Sequence, residues 1–193
     1  MTKSELRGIY KQKRSELSRA DVYEKSQQIA DRFFESVDLR QVGTLHCFLS
    51  IAKFNEIDTS LILARLWREF PSIRTAVPRI RLANDELESV SIHSETEVVE
   101  SRWGIREPIG DDLVEPGAID LVIVPLLCFD VFGHRVGYGK GFYDRLLAKC
   151  RPNCLKVGLT YFSAVPRILD AGDHDVAIDL CVSPDTVFRL PLP

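Results

Sequence analysis

Residues 119–127, IDLVIVPLL, lie within the longest apolar run of the chain. A run of this length without polar alternation is typical of a central strand that helices cover on both faces. On both sides of it, strand-like and helix-like segments alternate at about the spacing of βαβ units. We therefore predict an α/β fold: a single three-layer α/β/α domain over residues 1–193 with a mostly parallel central sheet.

Hydrophobic periodicity and turn residues predict the flanking elements. A helix is expected to begin after Ser18, because Asp21 three residues later is typical of a capping box. Another helix, over 59–69, is expected to be capped by Asp58 or Thr59. Residues 94–117 contain several glycines and prolines and predict a long connection. The remaining predicted helices cover 3–17 and 141–150, and the remaining predicted strands cover 43–51, 74–80, 87–93, 155–161 and, as the last strand, 177–182.

Composition excludes several classes of function. The 193 residues include 25 Lys and Arg and 28 Asp and Glu, which gives a net charge of −3. Without an overall basic field, neither nucleic acid nor an anionic membrane is expected as a partner. A cluster of basic residues within 3–14 is typical of a solvated helix face. No signal peptide is recognised and the longest apolar run is too short to span a bilayer, so we expect a soluble protein of the cytoplasm. A monomer is also expected.

The sequence GHRVGYGKGFYDR at 133–145 is the most informative segment. It follows the strongest predicted strand and precedes a helix, where an open α/β sheet places its ligand. Glycines let successive amides point at phosphate oxygens, and Arg135 and Lys140 add positive charge. Asp144 has the wrong sign for phosphate but suits a magnesium ion that bridges to it. The segment predicts a phosphate site, against the alternative of a glycine-rich turn with solvated charges; its spacing is neither the P-loop nor the dinucleotide-binding pattern.

Further motifs accompany this loop along nearly the whole chain, and together they resemble the 5-formyltetrahydrofolate cyclo-ligase family, also called methenyltetrahydrofolate synthetases. The motifs are KSELR at 3–7, LS at 49–50, EIDT at 56–59, VPR at 77–79, WGIxEP at 103–108, PLLCFD at 125–130, GxRxGYGxGFYD at 133–144 and HDxxxD at 174–179.

The resemblance implies a three-layer α/β/α enzyme that uses ATP and Mg²⁺ to convert 5-formyltetrahydrofolate, its polyglutamylated forms included, into 5,10-methenyltetrahydrofolate, ADP and phosphate. The residues that it implies for ATP are Lys3, Ser4, Glu5, Leu6, Arg7, Arg135, Val136, Gly137, Tyr138, Gly139, Lys140, Gly141, Phe142 and Tyr143. Those implied for the folate are Leu49, Glu56, Tyr138, Gly139, Lys140, Gly141 and Phe142. Trp103 is a further candidate for the folate, because an indole ring can stack on the pterin or the aminobenzoyl ring. Asp144 and Asp175 are implied as magnesium ligands. Because phosphoryl transfer needs positive charge at the phosphates, Arg135 and Lys140 are expected to be the catalytic cations.

Residue types alone leave some of these roles open. Without the resemblance, Glu56 is interpreted as a charge near a helix N-terminus. Trp103 is also typical of a loop anchor, and Asp175 of a turn. Two other functions also stay open. One is a different ATP-dependent kinase or ligase on the same scaffold, which ATP turnover independent of folate would favour. The other is a non-catalytic folate or nucleotide binder, which binding without product would favour.

Overall fold

The computed structural model describes residues 1–81, 86–100 and 106–191. Two helices open the chain: α1 covers Lys3–Ser15 and α2 covers Arg19–Ser36. Each begins with a capping box, in which the N-cap side chain accepts from a backbone N–H and an acidic side chain bonds back to the N-cap N–H. The predicted start of α2 after Ser18 is therefore confirmed.

The remaining elements alternate between strands and helices only in part, because the described residues between the next two α-helices form strands and turns. In chain order they are β1 (Thr44–Cys47), a 3-10 turn (Ala52–Phe54), α3 (Ser60–Glu69), β2 (Arg74–Arg81), β3 (Glu86–Ile92), β4 (Val98–Glu100), β5 (Arg106–Pro108), β6 (Leu113–Val114), a second 3-10 turn (Pro116–Ala118), β7 (Leu121–Pro125), β8 (Cys128–Phe129), β9 (Arg135–Val136), α4 (Phe142–Lys149), β10 (Leu155–Leu159), β11 (Leu180–Val182) and β12 (Val187–Arg189).

Eight strands form one sheet in the order β12-β11-β10-β7-β1-β2-β3-β6. The five strands from β11 to β2 pair in parallel, and the three remaining strands pair antiparallel at the edges. The central position of β7 agrees with its continuous apolar sequence, since all of its residues from Leu121 to Val124 are fully buried. The predicted α/β class and mostly parallel sheet are confirmed.

Alternate residues of the strands supply two cores, one on each face of the sheet. Leu121 and Ile123 pack on the face that α2 and α3 cover, whereas Val122 and Val124 pack on the opposite face with Leu146 of α4. A third, smaller core joins α1 to the hairpin β8–β9 beyond the carboxyl end of β7. No helix among the described residues is both long and apolar enough to cross a membrane.

Three sequence predictions need correction. Residues 94–117 are not only a connection, because they contain the pair β4–β5 and the edge strand β6. The strand predicted for 177–182 is not the last, since β12 pairs beside it. The strand predicted for 43–51 ends at Cys47, and the chain then leaves the sheet. The prediction that Asp58 or Thr59 caps α3 is confirmed. Thr59 is the N-cap residue, and its hydroxyl donates to the Phe48 carbonyl at 2.6 Å, while Asp58 supplies the side-chain acceptor for the Ser60 N–H.

Candidate active site

A cavity of about 590 Å³ opens beyond the carboxyl ends of β1, β2 and β7, where Phe48, Pro78 and Pro125 form part of its wall. β2, which follows β1 in the sheet along the chain, pairs with one edge of β1, whereas β7 pairs with the other edge of β1. The cavity therefore lies at the point where the strand order changes direction, the usual ligand position in an open α/β sheet.

Most of the residues predicted for the site line this cavity. They are Lys3, Arg7, Leu49, Glu56, Arg135, Gly137, Tyr138, Gly139, Lys140, Gly141, Phe142, Tyr143, Asp144 and Asp175. Four others do not belong to the lining: Ser4 and Glu5 are exposed on α1, Leu6 is buried in the small core, and so is Val136. Trp103 lies outside the described residues.

The glycine-rich loop is held at its start by the buried carboxylate of Asp130. This carboxylate accepts from the Phe132 and His134 N–H groups, each at 3.0 Å, and from the Ile168 N–H at 2.9 Å. Gly133, between these residues, has φ +89, and a Cβ there would lie 2.8 Å from the Ile178 carbonyl oxygen. The sequence interpretation that the glycines serve ligand approach is therefore corrected for Gly133, where the close neighbour is the protein's own backbone.

The later glycines shape the cavity wall itself. Gly139 has φ +88, and a Cβ there would lie 3.3 Å from the Arg7 guanidinium. Gly141 has φ +68 and is the N-cap of α4, so no capping side chain stands over the first turn of that helix. Arg7 also donates from Nε to the Gly137 carbonyl at 2.9 Å. The loop thus presents a helix N-terminus together with a cation from α1, an arrangement that suits an anion.

Two ion pairs border the part of the cavity that suits an anion. Arg135 is buried and donates from Nη2 to Asp144 Oδ1 at 2.7 Å, while its Nη1 donates to the Val176 carbonyl. Burial lowers the pKa of the Arg135 guanidinium, and the charge of Asp144 opposes that effect. Lys3 forms an ion pair with Asp175. Burial raises the pKa of the Asp175 carboxyl, but the hydrogen bond from the Gly172 N–H and the pairing with Lys3 lower this pKa below its ordinary value.

Lys140 differs from these cations in its surroundings. Its side chain is exposed at the cavity, and it forms no ion pair with any residue in the ranges that the structure describes. Its carbonyl oxygen accepts from the Arg145 guanidinium at 3.1 Å, which ties the loop to the first turn of α4. Lys140 therefore offers an ammonium group whose charge is not already balanced by a carboxylate.

The opposite wall carries a buried carboxylate. Glu56 accepts the Ile51 N–H on Oε2 at 2.8 Å and the Tyr138 hydroxyl on Oε1 at 2.6 Å. Burial raises the pKa of Glu56, whereas both hydrogen bonds and the charge of Arg14 act to lower it. The helix-terminus alternative for Glu56 does not describe this geometry, because its side chain bonds to Ile51 and Tyr138 and points into the cavity.

Sequence reasoning missed three residues at this site. Arg14 was grouped with the solvated basic cluster, yet it is buried and donates to the Tyr138 hydroxyl at 3.0 Å. In the same cluster Lys3 and Arg7 line the cavity, so the solvated interpretation holds only for Lys11 and Lys13, which are exposed. Glu107 lies in a quoted motif and lines the cavity, with Oε1 accepting the Ile80 N–H at 3.0 Å. Phe54 lies beside Tyr138, with ring centroids 5.8 Å apart.

The residues available to a metal are few. Within residues 1–81, 86–100 and 106–191, no group of three or more His, Cys, Asp or Glu side chains is arranged to hold a metal ion. Asp144 and Asp175 both line the cavity but already accept from Arg135 and Lys3. This sparse donor set does fit Mg²⁺, which proteins usually bind through one or two carboxylates while substrate phosphates and water complete the shell.

The chain is similar to known proteins along nearly its whole length. The family model for the 5-formyltetrahydrofolate cyclo-ligase family matches residues 1–184. The chain is 30% identical to the 5-formyltetrahydrofolate cyclo-ligase of Escherichia coli K12 over 94% of its own length and 100% of that protein. It is also 30% identical to the mitochondrial 5-formyltetrahydrofolate cyclo-ligase of Arabidopsis thaliana, over 95% of this chain and 78% of that one.

Solved structures give the same result. The 5,10-methenyltetrahydrofolate synthetase of Aquifex aeolicus superposes with a TM-score of 0.81 at 29% identity, covering 100% of this chain and 95% of that one. The 5,10-methenyltetrahydrofolate synthetase of Mycoplasma pneumoniae superposes with a TM-score of 0.75 at 25% identity, covering 95% of this chain and 99% of that one. A family match over nearly the whole length, together with these relatives, means that the chain belongs to the 5-formyltetrahydrofolate cyclo-ligase family.

Proposed function

We propose that this chain closes the five-membered ring of 5-formyltetrahydrofolate at the expense of ATP and releases 5,10-methenyltetrahydrofolate, ADP and phosphate. The observation that carries the proposal is the composition of the one cavity described above. Cations of α1 and a glycine-rich helix start lie on one wall, and the buried carboxylate Glu56 lies on another. The first wall suits a triphosphate, and the second suits the N–H groups of a pterin.

ATP is needed because the oxygen of a formamide is a poor leaving group. Transfer of the γ-phosphoryl group to the formyl oxygen converts that oxygen into a phosphate ester. The neighbouring ring-forming nitrogen attacks the formyl carbon and loses its proton, and the C–O bond breaks to release inorganic phosphate. Such a transfer depends on charge neutralisation and on alignment of donor and acceptor rather than on a protein nucleophile.

The cavity residues have distinct tasks in this proposal. Lys3, Arg7 and Lys140 bind the phosphates, and of these Lys3 is paired with a carboxylate, that of Asp175. Arg135 is held by Asp144 and lines the same wall. Glu56 accepts N–H groups of the pterin, and Leu49 and Phe142 contact its apolar surface. Asp144 and Asp175 are the candidates to hold Mg²⁺, which when bound with ATP neutralises phosphate charge.

The direct test is an absorbance assay with purified protein. 5-Formyltetrahydrofolate, ATP and Mg²⁺ together are expected to produce a species that absorbs in the near ultraviolet, and omission of ATP should prevent it. Absence of the product with all components present would refute the proposal. ATP turnover that is equal with and without folate would instead favour a different kinase or ligase, and calorimetric binding of folate without turnover would favour a binding protein.

Substitution of Lys140 tests the assignment of the phosphate wall. Lys140→Ala is expected to raise KM for ATP roughly 10- to 100-fold, because a charge-assisted hydrogen bond contributes about 1.5–3 kcal/mol. Lys149→Ala is the matched control, since Lys149 lies at the far end of α4, the helix that follows Lys140, and pairs with Glu86. Arg135→Ala is a poorer choice because it removes a buried partner of Asp144. An unchanged KM for ATP in Lys140→Ala contradicts the assignment.

Three further expectations remain predictions. They are the single domain over 1–193, the monomeric state, and the location in the cytoplasm. Acceptance of polyglutamylated folate belongs with them, and a comparison of KM for mono- and polyglutamylated substrate would test it.

A further inference from the structure

Arg14 is a buried cation just outside the cavity. Its side chain extends from α1 behind the wall, where Nη2 donates to the Leu126 carbonyl at 2.6 Å and Nη1 donates to the Tyr138 hydroxyl at 3.0 Å. The same Nη1 lies 3.9 Å from Glu56 Oε1. Arg14 itself is not part of the cavity lining, so any effect that it has on a ligand passes through Tyr138 and Glu56.

Stability alone is a weak reason for an arginine at this position. A guanidinium loses much hydration on burial, and the Arg14 Nε has no hydrogen-bond partner among the residues that the structure describes. An apolar side chain of similar volume would avoid both costs. The contacts of Nη1 with two residues of the cavity wall therefore indicate a function for the charge.

The hydrogen bonds through Tyr138 run in one direction only. A guanidinium has no acceptor, so the Tyr138 oxygen accepts from Arg14. The single hydroxyl proton of Tyr138 is then left to point at Glu56 Oε1, 2.6 Å away. The Ile51 N–H occupies Oε2 in the same manner. Each oxygen of Glu56 thus accepts a hydrogen bond, which is the environment of a carboxylate rather than of a carboxylic acid.

We propose that Arg14 is a positioning residue of the folate site, which through Tyr138 holds the Glu56 carboxylate in orientation and keeps it anionic. The inference rests on the proposed function to the extent that Glu56 faces the folate. After the bonds to Tyr138 and Ile51, each oxygen of an ionised Glu56 keeps acceptor capacity for one pterin N–H. A protonated Glu56 would present a donor to a donor and lose one of these bonds.

The groups that face Glu56 come from four parts of the fold. Arg14 of α1 is the cation whose charge acts on it, and Tyr138, Tyr143 of α4 and Tyr161 after β10 are the other titratable neighbours, with Asp58 close to Tyr161. Burial raises the pKa of all three tyrosines, so none ionises near neutral pH. Arg14 is therefore the group in this set that opposes the effect of burial on the pKa of Glu56 by its charge.

The first experiment needs neither folate nor turnover. Protein labelled with ¹³C at the glutamate side-chain carboxyl is titrated by NMR in the wild type, in Arg14→Met and in Lys13→Met. The midpoint for Glu56 is expected to move upward by about one pH unit or more in Arg14→Met, the usual effect of removing an opposite charge at this distance. Lys13→Met removes the same charge from the preceding residue, which is exposed, and is expected to leave the Glu56 midpoint unchanged.

The second experiment follows the same variants through pH profiles of kcat/KM for 5-formyltetrahydrofolate. The acidic limb is expected to move with the Glu56 midpoint in Arg14→Met, with a raised KM for folate and an unchanged KM for ATP. Arg14→Lys keeps the positive charge but lacks the forked guanidinium group. It is expected to return the acidic limb of the pH profile most of the way to its wild-type position. A wild-type enzyme without folate turnover would sink the proposed function but leave the NMR test of Arg14 intact.

An unchanged Glu56 midpoint in Arg14→Met, or an equal shift in Lys13→Met, overturns the inference. If Arg14→Met does not fold, Tyr138→Phe interrupts the same contacts and leaves the buried Arg14 side chain of α1 in place. It removes one donor to Glu56 and should also raise the midpoint, and a wild-type midpoint in Tyr138→Phe would equally overturn the inference.

Discussion

Acidification is expected to destabilise the fold through one histidine, His46 of β1. His46 is fully buried between the sheet and α4, with Nδ1 2.9 Å from the Ser89 Oγ and Nε2 3.4 Å from the Tyr143 hydroxyl. Burial lowers the pKa of His46 from 6.5 to about 3. The folded protein therefore keeps the imidazole neutral at pH values where the unfolded chain protonates it.

The sign and size of the effect follow from proton linkage. Between pH 6.5 and 3 the unfolded state binds the extra proton, so the free energy of unfolding falls as the pH falls. The slope approaches about 1.4 kcal/mol per pH unit, and the stability contributed by the neutral imidazole decreases by about 2 kcal/mol between pH 7 and pH 5. A loss of this size is a large fraction of a typical domain stability of about 5–15 kcal/mol.

Urea unfolding of the wild type and of His46→Gln at several pH values separates this effect from that of the carboxylates. Glutamine can still hydrogen-bond to Ser89 but does not titrate, so the stability difference between the two proteins should change by about 2 kcal/mol from pH 7 to pH 5. His174→Gln, at an exposed position, serves as the control and should run parallel to the wild type. A constant difference between wild type and His46→Gln over this range would refute the reasoning.

Two further substitutions test the loop and the folate wall. Gly133→Ala should lower the free energy of unfolding by about 1–3 kcal/mol in urea titrations, because φ +89 and the Ile178 carbonyl at 2.8 Å both disfavour a Cβ. Gly117→Ala, whose Cβ would meet no atom within 4 Å, should stay within about 0.5 kcal/mol of the wild type. Glu56→Gln should raise KM for 5-formyltetrahydrofolate roughly tenfold or more without changing KM for ATP, since an amide offers one acceptor where the carboxylate offers two. Steady-state kinetics beside the exposed control Glu16→Gln would check this, and an equal rise in both KM values would contradict it.

The central sheet could be predicted from the sequence because its strands carry their own signal. β7 is apolar throughout and β2 and β3 have long strand-like sequences, so their existence follows from local pattern. The edge strands carry no such signal. β6 has two residues and is defined by pairing of Val114 with Ser89 of β3. β12 has three residues without alternating burial and depends on β11 beside it. Strands this short form because a neighbour is present, and no single-sequence period can indicate them.

The site also has parts that local sequence pattern indicates and parts that depend on residues distant in sequence. Local pattern predicted the glycine loop, but the partners of its residues are distant in sequence: Tyr138 bonds to Glu56 across 82 residues and to Arg14 across 124. The resemblance to a family supplied Glu56 without its geometry. Neither source indicated that Arg135 would be engaged by Asp144, or that Asp130 would fix the start of the loop.

The geometry of helix α1 explains why the basic cluster is not simply a solvated helix face and how the site assembles. At about 100° per residue, Lys3, Arg7 and Arg14 project within about 40° of one another, and Leu6 and Tyr10 lie beside them on the same face. A charged stripe that shares a face with the apolar stripe must approach the protein when the helix docks. Leu6 and Tyr10 pack against Leu127 and Val136 of the hairpin region, and this packing brings Lys3 and Arg7 to the cavity and Arg14 to Tyr138 behind the cavity wall. The phosphate wall and the Arg14–Tyr138–Glu56 contacts therefore depend on a single docking event, so weakening the apolar contacts of α1 should impair both walls together.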